Sequence, residues 1–299
     1  MIPFSRLTLG TAQLGLNYGV NNKVGKPTSL SGETILQSSY DLGIRSFDTA
    51  SQYGDSESVI GDWVKKNNPI NIQITSKLHS LQSQQVLKST LEKVIRDSVQ
   101  SSLSRLNISC LDNYLLHDFR DLLCYGDLLV KIITRLKNEG LIQNWGCSIY
   151  DVEEAGPVID HHMDLVQVPF NIWDRRFFET GLLSRFQKEK IAVFSRSVFL
   201  QGLFFMSLQK LPEKLMDAKS DLETLISYSQ EKGLSIGAIC AGFVNSFSDI
   251  NSILIGVETE AQLMESTKWF GQDPIDPGEI VSLFNNIQPH IRDPRQWTV

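Results

Sequence analysis

Four side chains of the chain have the types needed to control a proton: Asp48, Tyr53, Lys77 and His117. A free phenol titrates at about pH 10 and is a poor acid at neutrality, but a nearby ammonium favours the phenolate and lowers that value. Lys77 can supply that field to Tyr53, Asp48 can hold Lys77 charged and in place, and His117 can donate a hydrogen bond that orients a substrate oxygen. In such a set Tyr53 acts as a general acid toward a carbonyl and as a general base toward an alcohol. The hydride must then come from a cofactor, because no protein side chain provides one.

Taken singly, each residue has an ordinary explanation. Asp48 suits an Asx-turn or helix cap, Tyr53 a packing role, Lys77 a solvated loop and His117 the edge of the core. Their weight comes from where they fall. Strand-like segments at 6–11, 44–48, 71–76, 111–116, 142–147, 164–168, 191–195 and 252–256 alternate with helical stretches near 31–42, 55–67, 82–107, 121–138, 150–159, 179–188, 220–246 and 260–269. Repeated βα units build a parallel sheet, and eight strands close it. The expected fold is therefore α/β, a (β/α)8 TIM barrel in one domain over residues 1–299. Reactive groups in such barrels sit at the C-terminal ends of the strands. Asp48 and Tyr53 follow the second strand in this reading, Lys77 the third and His117 the fourth.

Two stretches depart from the repeat. Residues 199–219 form a long connection after the seventh strand, which predicts a lid or binding loop. Beyond 271, four prolines and the ending Arg295-Gln296-Trp297-Thr298-Val299 predict a last helix at about 277–287 and a tail over part of the barrel.

Composition narrows the partners. A net charge of −6 spread without long runs of one sign argues against nucleic acid or an anionic membrane surface. Without a signal-like N-terminus or an apolar run of about 20 residues, the expected location is cytoplasmic and no membrane partner is expected. The cysteines Cys110, Cys124, Cys147 and Cys240 are too scattered for a metal site and read as reduced core thiols. The pair His161 and His162 lies away from the reactive rim, so no metal is expected.

The segment from Gly43 through Asp48, Tyr53 and Gly54 to Glu57 resembles the hallmark motif of the aldo-keto reductases. The resemblance continues through Ile74-Thr75-Ser76-Lys77, Asp112 to His117, Gly146-Cys147-Ser148, Val166 to Asn171 and Ile253 to Val257, covering residues 6 to 270. It implies the barrel, a bound NAD(P)(H), a small carbonyl or alcohol substrate, and the tetrad Asp48, Tyr53, Lys77 and His117.

The resemblance also implies cofactor contacts. Ser148 and Gln167 match positions that hold the nicotinamide carboxamide, while Ile149 stands where the family has Asn. Phe194 is read as the aromatic that stacks under the nicotinamide, followed by Ser195 and then Arg196, which is placed to reach the pyrophosphate or an anionic substrate. After the eighth strand Gly256 leads to Glu258, where NADPH-preferring members place a cation. A carboxylate there repels a 2′-phosphate and accepts hydrogen bonds from a free ribose hydroxyl. A relaxed or NAD-leaning preference is expected, with Lys268 as a rescuing cation and with Gln262 and Glu265 toward the adenine and ribose. Tyr18, Trp173 and Arg175 are expected at the substrate entrance, which suits a polar, sugar-related compound. A cofactor-binding regulatory subunit is the competing reading, and a complete acid, tuning cation and orienting histidine argue against it.

Overall fold

The computed structural model describes residues 4–22 and 25–297. Eight parallel strands close in sequence order: β1 (Leu7–Gly10), β2 (Ser46–Asp48), β3 (Gln73–Leu78), β4 (Leu111–Leu116), β5 (Ile142–Ser148), β6 (Leu165–Pro169), β7 (Ala192–Arg196) and β8 (Ser252–Gly256), with β8 pairing back onto β1. Helices follow as α1 (Ala12–Gly15), α2 (Ser29–Asp41), α3 (Ser56–Asn67), α4 (Leu91–Leu106), α5 (Arg120–Asn138), α6 (Ala155–Asp160), α7 (Arg176–Glu179), α8 (Leu182–Lys188), α9 (Lys219–Lys232), α10 (Ile236–Asn245), α11 (Glu260–Phe270), α12 (Pro277–Leu283) and α13 (Pro289–Arg292). The (β/α)8 barrel read from the alternation is therefore present.

Side chains alternate across each strand. Outward-facing apolar residues such as Phe47, Ile74 and Val193 pack under the helices, and each fully buried Leu, Ile or Phe contributes about 1.5–3 kcal/mol. Inside the barrel, Leu115, Leu165 and Phe194 form a separate apolar layer beneath the cavity, with the Phe4 ring edge-on to Phe194 at 4.9 Å. A polar ladder crosses the interior beside it, in which Asn113 donates to Thr75 Oγ1 at 3.0 Å and Asn144 donates to Asn113 Oδ1 at 3.1 Å.

Several helix boundaries differ from the sequence reading. The stretch 82–107 becomes helical only at Leu91, because the Asp121 carboxylate accepts the backbone N–H groups of Leu81 and Gln82 at 2.9 and 3.0 Å and turns the chain. Leu87, inside the stretch read as helix, is 67% exposed. The stretch 220–246 is two helices. Gly233 at φ +65° ends α9, and the Ser235 hydroxyl accepts the Ala238 N–H to begin α10. Gly181 at φ +74° likewise separates α7 from α8. The helix read at about 277–287 stops at Leu283, and the short α13 follows it.

Strand β3 reaches Leu78, so Lys77 is a strand residue and not a loop residue. Of the cysteines, Cys147 and Cys240 are buried, whereas Cys110 is half-buried and Cys124 is exposed, so the core-thiol reading holds for two of the four. The tail reaches the barrel as expected, where Arg295 donates to Asp151 at 3.4 Å and stacks on Tyr150, and within the tail buried Trp297 donates to the His290 carbonyl at 2.9 Å. Thr298 and Val299 of that tail, and Met1 to Pro3, lie outside the described residues. No helix among the described residues is long and apolar enough to cross a membrane.

Candidate active site

Tyr53 owes its place to a close approach that leaves no room for side chains. A Cβ on Gly15 would fall 1.7 Å from the Tyr53 carbonyl oxygen, and one on Gly54, which sits at φ +55°, would fall 2.3 Å from the Gly15 carbonyl oxygen. Helix α1 is thereby pressed onto the turn that carries Tyr53. Ser56 Oγ reinforces the contact by donating to the Thr11 carbonyl at 3.0 Å, and Thr11 Oγ1 donates to the Asp48 carbonyl at 2.9 Å. Glu57, at the end of the same motif, points away from the cavity and accepts from Arg105 Nε at 2.7 Å and Ser76 Oγ at 2.5 Å. It braces α3 against α4 and β3.

Asp48 ends β2 with its side chain inward. It accepts from Lys77 Nζ on the adjacent β3 and from Gln167 Nε2 across the barrel. Lys77 Nζ donates also to the Thr49 carbonyl at 3.0 Å. The Lys77 and Asp48 side chains are only 2% and 3% exposed. The Lys77 ammonium lies 5.1 Å from the centre of the Tyr53 ring, and the His117 ring stands edge-on to that ring at 5.7 Å. The four residues thus meet around one phenol, as their order along the strands implies.

The electrostatics differ from the expectation in one respect. The Tyr53 phenol is pushed well above its ordinary value, first by burial and then by the Asp48 carboxylate and the neighbouring Tyr150, with Arg196 acting the other way. The lowering expected of Lys77 is outweighed by burial of the phenol and offset in part by Asp48, which pairs with the ammonium at contact distance. His117 falls to about 3, through burial and then the positive charges of Lys77 and Arg196. Its imidazole is therefore neutral at working pH, and Nδ1 is buried with no hydrogen-bond partner among the described residues.

That depressed value has a consequence for stability. The unfolded imidazole takes up a proton below its ordinary 6.5 while the folded one resists until about 3, so the contribution of this site is complete above pH 6.5 and declines as the solution is acidified through that window. His117→Asn should lose less of its urea midpoint between pH 6.5 and 4 than the parent protein does. Parallel losses in the two proteins would contradict the assignment.

All four residues open onto a cavity of about 890 Å³ at the C-terminal ends of the strands. Tyr18, Ser148, Gln167, Arg196, Gly256, Glu258, Gln262 and Glu265 line it, as read from the sequence. Phe194 and Ser195 do not. Alternation along β7 drops Phe194 into the apolar layer below and turns Ser195 toward the helices, so Arg196 occupies the rim position at the end of that strand. Trp173 and Arg175 are also misplaced by the sequence reading. Trp173 is buried edge-on to Phe204 at 4.8 Å, and the Arg175 guanidinium is held by the carbonyls of Ile172 and Phe284 at 2.6 and 2.7 Å. Both fasten the loop after β6 to the C-terminal segment outside the cavity. Lys268 is exposed in the last turn of α11 and does not line the cavity.

Other lining residues escaped the sequence reading. Tyr150, two residues beyond Ser148, was within reach of the strand-end rule. Ser235, Ile236 and Gly237 reach the cavity because of the break between α9 and α10, and Trp269 faces them from α11. Arg295 arrives from the tail. In the long connection after β7, Gln201 lies beside the cavity mouth and its Nε2 donates to the Tyr18 hydroxyl at 3.0 Å.

The donor set suits a nicotinamide dinucleotide. Gln167 spends its NH2 group on Asp48, which leaves its carbonyl oxygen to accept from an amide. The Ser148 hydroxyl makes no hydrogen bond among the described residues and lines the same wall. One acceptor and one donor match a carboxamide, and Glu258, Glu265 and Trp269 line the same cavity.

Comparison with known proteins agrees. Residues 6–283 match the model of the aldo/keto reductase family. The chain is 24% identical over 295 residues to the NADH-specific methylglyoxal reductase of Escherichia coli, covering 89% of each. It is 30% identical over 155 residues to the D-arabinose 1-dehydrogenase of Saccharomyces cerevisiae, covering 50% of this chain and 44% of that one. Among solved structures, an aldo-keto reductase from Bacillus halodurans in its holo form superposes with a TM-score of 0.74 at 20% identity, covering 97% and 96% of the two chains. The glycerol dehydrogenase of Gluconobacter oxydans gives a TM-score of 0.74 at 21% identity, covering 96% and 95%. With barrel, cavity and sequence in agreement, the chain belongs to the aldo/keto reductase family and is a nicotinamide-dependent oxidoreductase that interconverts carbonyls and alcohols.

Proposed function

We propose that the protein reduces a small, polar, sugar-related carbonyl with NADH, using Tyr53 as the proton donor. The observation that carries this reading is the phenol of Tyr53 facing the cavity beside the Lys77 ammonium and the His117 ring, at 5.1 and 5.7 Å from its ring centre. Bound NADH supplies the hydride, its carboxamide held by Ser148 and Gln167. His117 is neutral and orients the carbonyl oxygen with an imidazole N–H. Tyr53 keeps its proton across the physiological range and delivers it to that oxygen. Lys77, fixed by Asp48, stabilises the phenolate that results. Tyr18 and Gln201 narrow the mouth and exclude water.

The substrate class is supported by relatives named for methylglyoxal, D-arabinose and glycerol, all small and polar. The cofactor preference is supported by the charges along the cavity. Its cations are Lys77, Arg196 and Arg295, while Glu258 and Glu265 line the wall formed by the loop after β8 and by α11. No Lys or Arg of that wall lines the cavity among the described residues. A 2′-phosphate there would meet carboxylates and no cation. Initial rates on short aldehydes, aldoses and ketoses with each cofactor test the reading: kcat/KM with NADH should equal or exceed that with NADPH. A hundredfold preference for NADPH would remove the cofactor assignment, and a panel without turnover would remove the substrate assignment.

A further inference from the structure

Arg196 is a cation without an anion. Its Nη2 donates to the Ile149 carbonyl at 3.0 Å, its Nε is buried with no partner, and Nη1 makes no hydrogen bond among the described residues. No described carboxylate pairs with it, although the guanidinium lines the cavity with Tyr53 and His117. Arg295 differs, since Asp293 and Asp151 accept from it at 2.8 and 3.4 Å.

The two arginines are held by one ring. The guanidinium carbons of Arg196 and Arg295 lie 3.8 and 3.7 Å from the centre of Tyr150. At those distances each must cover a face of its own, because two guanidiniums cannot stack on the same side. The Tyr150 π-system eases their repulsion and fixes the plane of Arg196 without neutralising it. A half-buried guanidinium with open N–H groups is a costly arrangement unless a ligand completes it, and its planar fork matches a carboxylate or a phosphate.

We propose that Arg196, presented by Tyr150 and backed by Arg295, binds an anionic group of the substrate, so that the carbonyl compound reduced at Tyr53 carries a carboxylate or a phosphate. The proposal rests on the carbonyl-reducing reading above and specifies its substrate. Arg196 lines the cavity with Tyr53 and His117, and its charge acts on both groups. The anion assigned to it is therefore one on the substrate, and the NADH arm of the test below distinguishes it from the cofactor pyrophosphate.

Matched pairs test this directly: succinic semialdehyde against butanal for a carboxylate, and D-glyceraldehyde 3-phosphate against D-glyceraldehyde for a phosphate. The parent protein should prefer at least one anionic member by about 10- to 100-fold in kcat/KM, the range expected for a hydrogen bond to a charged group. The pair that shows the preference identifies the anion. In Arg196→Gln the ratio should collapse toward one, and Arg196→Lys should restore part of it. Binding of succinate and sn-glycerol 3-phosphate, followed by calorimetry without turnover, should weaken at least tenfold in Arg196→Gln for the same anion. This second measurement stands even if no carbonyl is reduced, which separates failure of the anion site from failure of the oxidoreductase reading. A parent protein that favours the neutral members and binds neither anion overturns the proposal. So does an Arg196→Gln protein whose NADH dissociation constant rises tenfold while its anion preference persists, since the arginine would then serve the pyrophosphate.

Discussion

Tyr53→Phe should lower kcat for carbonyl reduction by about 10²- to 10⁴-fold, the usual contribution of a positioned general acid, while the NADH dissociation constant moves by less than about twofold. The substitution removes one oxygen and keeps the ring. Contacts of that ring with His117 at 5.7 Å and with Lys77 at 5.1 Å survive, so the barrel and cavity should remain as they are. Single-turnover absorbance at 340 nm reads the chemical step, and quenching of NADH fluorescence reads binding. A variant that keeps more than a tenth of the parent rate would take the proton-donor role away from Tyr53. The raised phenol value adds a directional signature. Reduction draws on a proton that Tyr53 holds throughout the neutral range, so its rate should be flat from pH 6 to 9. Oxidation needs the phenol deprotonated and should climb steadily with pH over the same interval. An oxidation rate independent of pH would show that burial does not hold the proton as strongly as the surroundings of Tyr53 indicate.

Lys77→Met should disable the site and destabilise the fold together. The ammonium is the contact-distance partner of Asp48 at the floor of the cavity, and both side chains are almost fully buried. Removing one member of a buried pair leaves the other charge uncompensated, at a cost of about 3–5 kcal/mol. The Thr49 carbonyl loses a donor as well, and only Gln167 remains hydrogen-bonded to the carboxylate. Thermal unfolding should fall by several degrees, and turnover by at least the hundredfold expected when the phenolate loses its cation. Adding Asp48→Asn to Lys77→Met separates the two effects. The neutral amide no longer needs a counter-charge, so the double variant should regain at least about 1 kcal/mol of stability over Lys77→Met alone and recover no activity. A double variant less stable than Lys77→Met would show that the carboxylate is paired by something other than Lys77.

The tertiary structure adds a division of labour within the cavity. Its lining combines the cations Lys77, Arg196 and Arg295 with the carboxylates Asp48, Glu258 and Glu265. Arg196 holds the rim at the end of β7, while Phe194, read as the stacking aromatic, lies one layer below. The long connection after β7 and the tail both reach this end, through Gln201 and Arg295. Specificity thus depends on segments with little regular structure.

What the sequence determined by itself was the periodic part of the protein. Alternation of strand and helix specified the barrel, because each βα unit signals its own type through local hydrophobic spacing. Asp48, Tyr53, Lys77 and His117 could be placed together because strand ends in a closed barrel share one rim, whatever the details of packing. Local signals failed where a distant group decided the outcome. The Asp121 carboxylate captured Leu81 and Gln82 and delayed α4, a contact 39 and 40 residues away that no window on residues 82–107 contains. Strand register decided that Phe194 points down and Arg196 up, since a shift of one or two residues along β7 changes the face or the depth a side chain reaches. Trp173 and Arg175 looked like entrance residues until the carbonyl of Phe284, more than a hundred positions later, claimed the guanidinium. The Tyr53 phenol value reversed for the same reason: proximity of an ammonium was legible, but burial of the phenol and the pairing of Lys77 with Asp48 are properties of the folded site.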